Sequence, residues 1–196
     1  MRRLEMPVEL KGLANTKRAM KEFAPDLYKQ MNDELKAIML PVRNEARSYV
    51  PFKAVSGWMN QHGTWENRVF DTAAIKKGIV YTQGKSKANQ AGFQSSYIVY
   101  NKTAAGAIYE TAGRKNPSGQ PWVGRKGIAG KKYSHSSNPR AGMQFINSLG
   151  GQLTGGGKTK GRLIYRAWAR QNNKAIPAGI KAINRAITEF NKRAKP

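Results

Sequence analysis

Between Pro25 and Pro51, the apolar residues Leu27, Met31, Leu35, Ile38, Val42, Ala46 and Tyr49 recur at spacings of three and four. That period places them on one stripe of an α-helix, opposed by Lys29, Asn32, Lys36, Arg43 and Arg47. Pro25 suits the first helical turn, and Asp26 sits favourably at the positive end of the helix dipole. Pro51 sets the end, so the helix spans ~37 Å. Pro41 lies inside and is expected to kink it or divide it in two. A stripe this long needs a partner layer, and the rest of the chain must supply it.

The remaining segments supply strands and further helices. Val8 to Leu13 reads as a short opening strand and Ala14 to Phe23 as a short helix. A loop over 51–65 carries Trp58 and Trp65. Asn67 to Asp71, Gly78 to Gln83 and Ser95 to Lys102 are rich in Val, Ile, Tyr and Phe, which suits antiparallel pairing. Ala104 to Ala112 begins as a helical turn, and Gly113 to Arg140 reads as a long, irregular basic loop. Pro139 is expected to start a short helix through Leu149, stopped by Gly150-Gly151. Arg162 to Gln171 and a final helix opening at Pro177 complete the chain. The expected class is α+β: a small antiparallel sheet packed against the long N-terminal helix, with C-terminal helices. At 196 residues one domain is expected, with 113–161 as an extended Gly/Lys-rich insertion.

Charge narrows the functional classes. Lys plus Arg number 35 against 11 acids, a formal net of +24. Residues 111–196 hold 18 of the basic side chains and one acid, Glu189. Such asymmetry points to a polyanionic partner. Scattered solvated lysines are the plainer explanation, but 86 residues with one acid fit it poorly. Absent cysteines exclude disulfides and thiolate metal sites, and two histidines, His62 and His135, are too few for a histidine metal cluster. No cofactor is expected. No apolar run approaches the ~20 residues a membrane span needs, and Met1-Arg2-Arg3 is followed by no apolar signal core.

Catalytic motifs are wanting. Gly157-Lys158-Thr159 invites a phosphate-loop reading, but the required first glycine would stand at 152, which is Gln152. A predicted helix, not a buried strand, precedes it. Ser134-His135-Ser136 lies in a Gly/Lys-rich loop with no acid near it in sequence, and adjacency alone does not make a catalytic pair. Glu34 and Glu45 are assigned to the solvated side of the long helix. The chain is therefore read as no enzyme. Polyanion contact is assigned to Arg125, Lys126, Lys131, Lys132, Arg140, Lys158, Lys160 and Arg162, without base readout, because no sequence-reading motif accompanies them. Trp122 and Tyr133, interleaved with these cations, are read as loop packing.

Three stretches resemble the neck, or tail-completion, proteins of long-tailed bacteriophages. Glu45-Ala46-Arg47-Ser48-Tyr49-Val50-Pro51 followed by Val55-Ser56-Gly57-Trp58-Met59 is similar to the family's turn from its long helix into its sheet. Ala107-Ile108-Tyr109-Glu110-Thr111-Ala112-Gly113 resembles a shortened form of its Tyr-x-x-Glu-Phe/Tyr-Gly segment. Gly161-Arg162-Leu163-Ile164-Tyr165-Arg166-Ala167-Trp168, with the helix from Pro177, resembles its C-terminal helices. The resemblance implies a virion protein at the head–tail junction, assembled in the host cytoplasm. It implies a homo-oligomeric ring, hexameric in preference to dodecameric, around genomic DNA and between head-closure and tail-terminator or tail-tube rings. Trp58, Tyr109 and Glu110 are then the candidates for the subunit interface. Two alternatives stay open: a tail terminator ring capping the tail tube, and a free, sequence-independent nucleic-acid-binding protein.

Overall fold

The computed structural model describes residues 13–52, 70–83, 87–89, 92–94, 97–117 and 138–194. Their order is α1 (Leu13–Phe23), α2 (Pro25–Ser48), α3 (Thr72–Gly78), β1 (Ile79–Gln83), β2 (Lys87–Asn89), β3 (Gly92–Gln94), β4 (Tyr97–Asn101), α4 (Ala104–Thr111), α5 (Ala141–Ser148) and α6 (Ile164–Arg193). β1 pairs with β4 as a two-stranded antiparallel sheet packed against a long helix, so the class is α+β. β2 and β3 form a second antiparallel pair in the register Lys87↔Gln94, Ala88↔Phe93 and Asn89↔Gly92. None of the described helices is long and apolar enough to cross a membrane.

The chain packs as two compact units, each discontinuous in sequence: Met1–Glu45, Ile79–Tyr100 and Ala167–Pro196 in the first, Ala46–Gly78 and Asn101–Arg166 in the second. In the first unit the α2 stripe meets α6. Met20, Met31, Leu35, Ala182, Ile183 and Ala186 form its buried cluster, with Tyr28, Ile38, Tyr97, Ile187 and Phe190 packed against it. Each fully buried Leu, Ile or Met side chain contributes roughly 1.5–3 kcal/mol. On α1, Lys17 is buried among aromatic rings. Its ammonium donates to the Tyr97 hydroxyl at 2.7 Å, which donates onward to Asn32 Oδ1 at 2.8 Å. The same ammonium lies 4.5 Å from the Tyr97 ring centre, and Tyr81 stacks on that ring. Burial pulls the Lys17 ammonium down to about 8 and pushes the Tyr81 phenol up to about 12.

The two acids of α2 assigned to solvent face α6 instead. Glu34 pairs with Arg185, while Glu45 accepts from Gln171 Nε2 and lies 3.6 Å from Arg170. Near the start of α2, both Asp26 oxygens receive Arg193 Nη1, at 2.8 and 3.0 Å. As numbers rise along α2 they fall along α6, so the two helices run antiparallel. Flanking positions of an apolar stripe are the edge of the helix contact, which is why acids there meet a neighbour as well as water.

Both internal prolines sit within unbroken helices. Pro41 does not divide α2, and Pro177 lies inside α6 instead of opening a new helix, so the two C-terminal helices expected are one. The carbonyls deprived of a donor belong to Ala37 and Asn173, both exposed like the prolines themselves. Water can satisfy those carbonyls, and the buried faces hold the helices together.

In the second unit, Phe70 and Asp71 are not strand residues. Asp71 Oδ1 accepts Ala74 N–H at 3.0 Å and starts α3, a capping role that outweighs the local apolar run. The expected strand at 67–71 otherwise lies outside the described residues, as do residues 8–12 of the opening strand; Leu13 is already helical. The strands expected at 78–83 and 95–102 are observed as β1 and β4. Neither α3 nor the β2–β3 pair was expected. α5 begins two residues after Pro139 and is stopped by Gly150 and Gly151, with φ of +57° and +65°.

Candidate functional site

The second unit contains a buried polar knot built from two sequence segments about fifty residues apart. Thr103 starts it. Its extended backbone and its hydroxyl, which accepts Gly106 N–H at 3.1 Å, cap α4. The turn that follows points Tyr109 and Glu110 inward, and Gly113, at φ +78°, lets the chain leave. Glu110 is 1% exposed. Its carboxylate accepts the backbone N–H groups of Leu163 at 2.5 Å, Ile164 at 3.1 Å and Tyr165 at 2.9 Å. These are orphan donors of the first turn of α6, where the helix dipole also favours a negative charge. Gly161 is needed for this approach, because a Cβ there would collide with Glu110 Oε1.

Arg162 fastens the other side. Its Nε donates to the Gly150 carbonyl at 3.1 Å, and its Nη1 to the carbonyls of Tyr109 at 3.2 Å and Ala112 at 2.6 Å. Arg114 donates from Nε to the Lys160 carbonyl at 2.7 Å and lies 5.0 Å from the Tyr165 ring centre. Burial raises the Glu110 carboxyl above its ordinary range; the three N–H groups and Arg114 pull it back. Burial likewise lowers Arg162 and raises the Tyr109 phenol.

This geometry corrects three site assignments. Arg162, at 4% exposure, is bonded to interior carbonyls and does not present its guanidinium to a polyanion. Tyr109 and Glu110 lie in the interior at 2% and 1% exposure, not at a subunit surface, because their polar atoms serve the capping of α6 and the seat of Arg162. A carboxylate holding three donors has little capacity left for a substrate, so the knot is architecture.

The other candidates divide by position. Arg125, Lys126, Lys131, Lys132 and Trp58 lie outside the described residues. Arg140 is exposed just before α5, and its backbone N–H donates to Asn138 Oδ1 at 2.9 Å. Lys158 falls in a single 3₁₀ turn, Gly157–Thr159, within a loop closed by the Thr154–Gly161 bridge; Lys160 is half-buried beside it. Among the described residues no three His, Asp or Glu side chains gather as a metal site would require. What the sequence reading missed is the row of acid–base pairs between α2 and α6. One trace of it is legible: Asp26 and Glu34 stand eight apart, as do their partners Arg185 and Arg193.

No family model matches the chain, and no curated protein and no solved structure matches it either.

Proposed function

We propose that this chain is a structural subunit of the ring joining head to tail in a long-tailed bacteriophage, without catalytic activity, closing around DNA that it contacts through phosphates. The observation that carries this reading is the knot. Two of the stretches similar to neck proteins, Ala107–Gly113 and Gly161–Trp168, are held together by the Glu110 carboxylate and the Arg162 guanidinium. Segments far apart in sequence that share one family's likeness and also form one packed unit support a common origin better than either alone. The net charge of +24 supports a polyanionic neighbour. An antibody against the chain should label the head–tail junction of phage particles, and the purified chain should form closed rings by electron microscopy. A chain that stays monomeric at every concentration and never co-purifies with particles would overturn the proposal.

A further inference from the structure

We propose that the outward ridge of α6 contacts the DNA backbone, with Lys174 and Lys181 at its centre. At 3.6 residues per turn, Arg170, Lys174, Lys181, Arg185 and Lys192 fall within about 60° of one another on the helix, over about 33 Å. All five are exposed. Arg170, Arg185 and Lys192 are partly neutralised by Glu45, Glu34 and Glu189. Lys174 and Lys181 form no ion pair among the described residues, and their separation of seven residues spans about 10 Å, roughly three steps of one DNA strand at 3.4 Å each.

Two features set this ridge apart from an ordinary solvated helix face. A solvated face commonly alternates Glu and Lys at spacings of three and four, whereas α6 carries seven cations and one acid. Exposed positions beside the cations include Asn173, Asn184, Thr188 and Asn191, short side chains of the kinds that hydrogen-bond phosphate oxygens, with the small, uncharged Pro177 and Ala178 between the two central lysines. The α2 acids Glu34 and Glu45 meet the ridge cations Arg185 and Arg170 and leave the two central lysines unmatched.

The inference rests on the proposal that the chain surrounds DNA, and a separate readout keeps the two apart. Binding of the full chain to a short duplex of mixed sequence should be followed by fluorescence anisotropy between 50 and 200 mM salt. The variants are Lys174→Gln with Lys181→Gln and, as a control of equal charge, Lys29→Gln with Lys36→Gln on α2. Loss of two phosphate contacts should flatten the slope of log affinity against log salt by about 1.8, so the affinity lost across that range shrinks roughly twelvefold relative to the unaltered chain. The α2 control should keep the original slope. An unchanged slope in the α6 variant, or an equal change in both, overturns the inference. So does an unaltered chain that forms rings yet binds no duplex, which leaves the ring proposal standing. Binding that moves from DNA to an acidic protein surface, with the α6 variant losing only the latter, overturns it as well. A chain that binds duplex with the predicted slopes but forms no ring removes the ring proposal and keeps the ridge.

Discussion

Two buried charges of opposite sign behave differently here. Glu110 is held by three backbone donors that have no other acceptor in the helix. Glu110→Ala should therefore cost about 2–5 kcal/mol, because orphaned donors remain in a water-poor site, and urea denaturation should show it as a lower midpoint. A loss within 0.5 kcal/mol would mean that water replaces the carboxylate. Lys17 gives a pH signature instead. Its folded-state pKa of about 8 lies below the ordinary 10.5. Below pH 8 both states hold the proton; between 8 and 10.5 the folded chain releases it first, and above that neither holds it. Stability from this group thus rises with pH across the window. The free-energy difference between the unaltered chain and Lys17→Met should climb from pH 8 to 10.5. A flat difference would show that Lys17 keeps an ordinary pKa, through water or a charge beside it.

At the scale of elements, the α2–α6 pair shows apolar packing setting strength and charges setting alignment. Ion pairs exposed as these are contribute about 0–1 kcal/mol each, so Asp26–Arg193, Glu34–Arg185 and Glu45–Arg170 chiefly favour the antiparallel register. Two helical glycines then give opposite expectations. A Cβ on Gly179 would meet Leu35 Cδ2 at 3.7 Å, an ordinary contact. Gly179→Ala should raise stability by about 0.5–1 kcal/mol through helix propensity alone. A Cβ on Gly106 would overlap the Asn101 amide and lie 2.7 Å from Thr103 Oγ1, the group that caps α4. Gly106→Ala should cost about 1–3 kcal/mol. Thermal melting of the pair checks both signs, and a shift in the same direction for both would refute the contact argument.

For the whole molecule, the charge asymmetry has two parts. Some of the C-terminal excess answers acids of the N-terminal third within the first unit, and Arg114 and Arg162 are bonded to backbone carbonyls within the second. If the chain is the proposed connector subunit, replacing Lys126, Lys131 and Lys132 together by Gln should weaken retention of DNA or of a neighbouring ring. Full infectivity of a phage carrying the triple variant would remove the basic segment from the mechanism. Much of this was legible in one dimension. The stripe from Leu27 to Tyr49, Pro25 at a helix start, β1, β4 and the stop at Gly150-Gly151 all follow from local period and backbone preference, which nearby residues determine. The roles of Glu34, Glu45, Glu110 and Arg162 were not legible. A carboxylate on a helix flank or a cation in a glycine-rich tract has the same local signature whether it meets water or a buried partner. Their partners stand 53 to 151 positions away in sequence for Glu110 and Glu34. Only packing brings such groups together, and desolvation then decides that Arg162 bonds to carbonyls and Glu110 to a helix end. By itself the sequence determined which faces are apolar and how much charge the chain carries; the tertiary structure decided which charges are matched inside, because that depends on distance in space and exclusion of water.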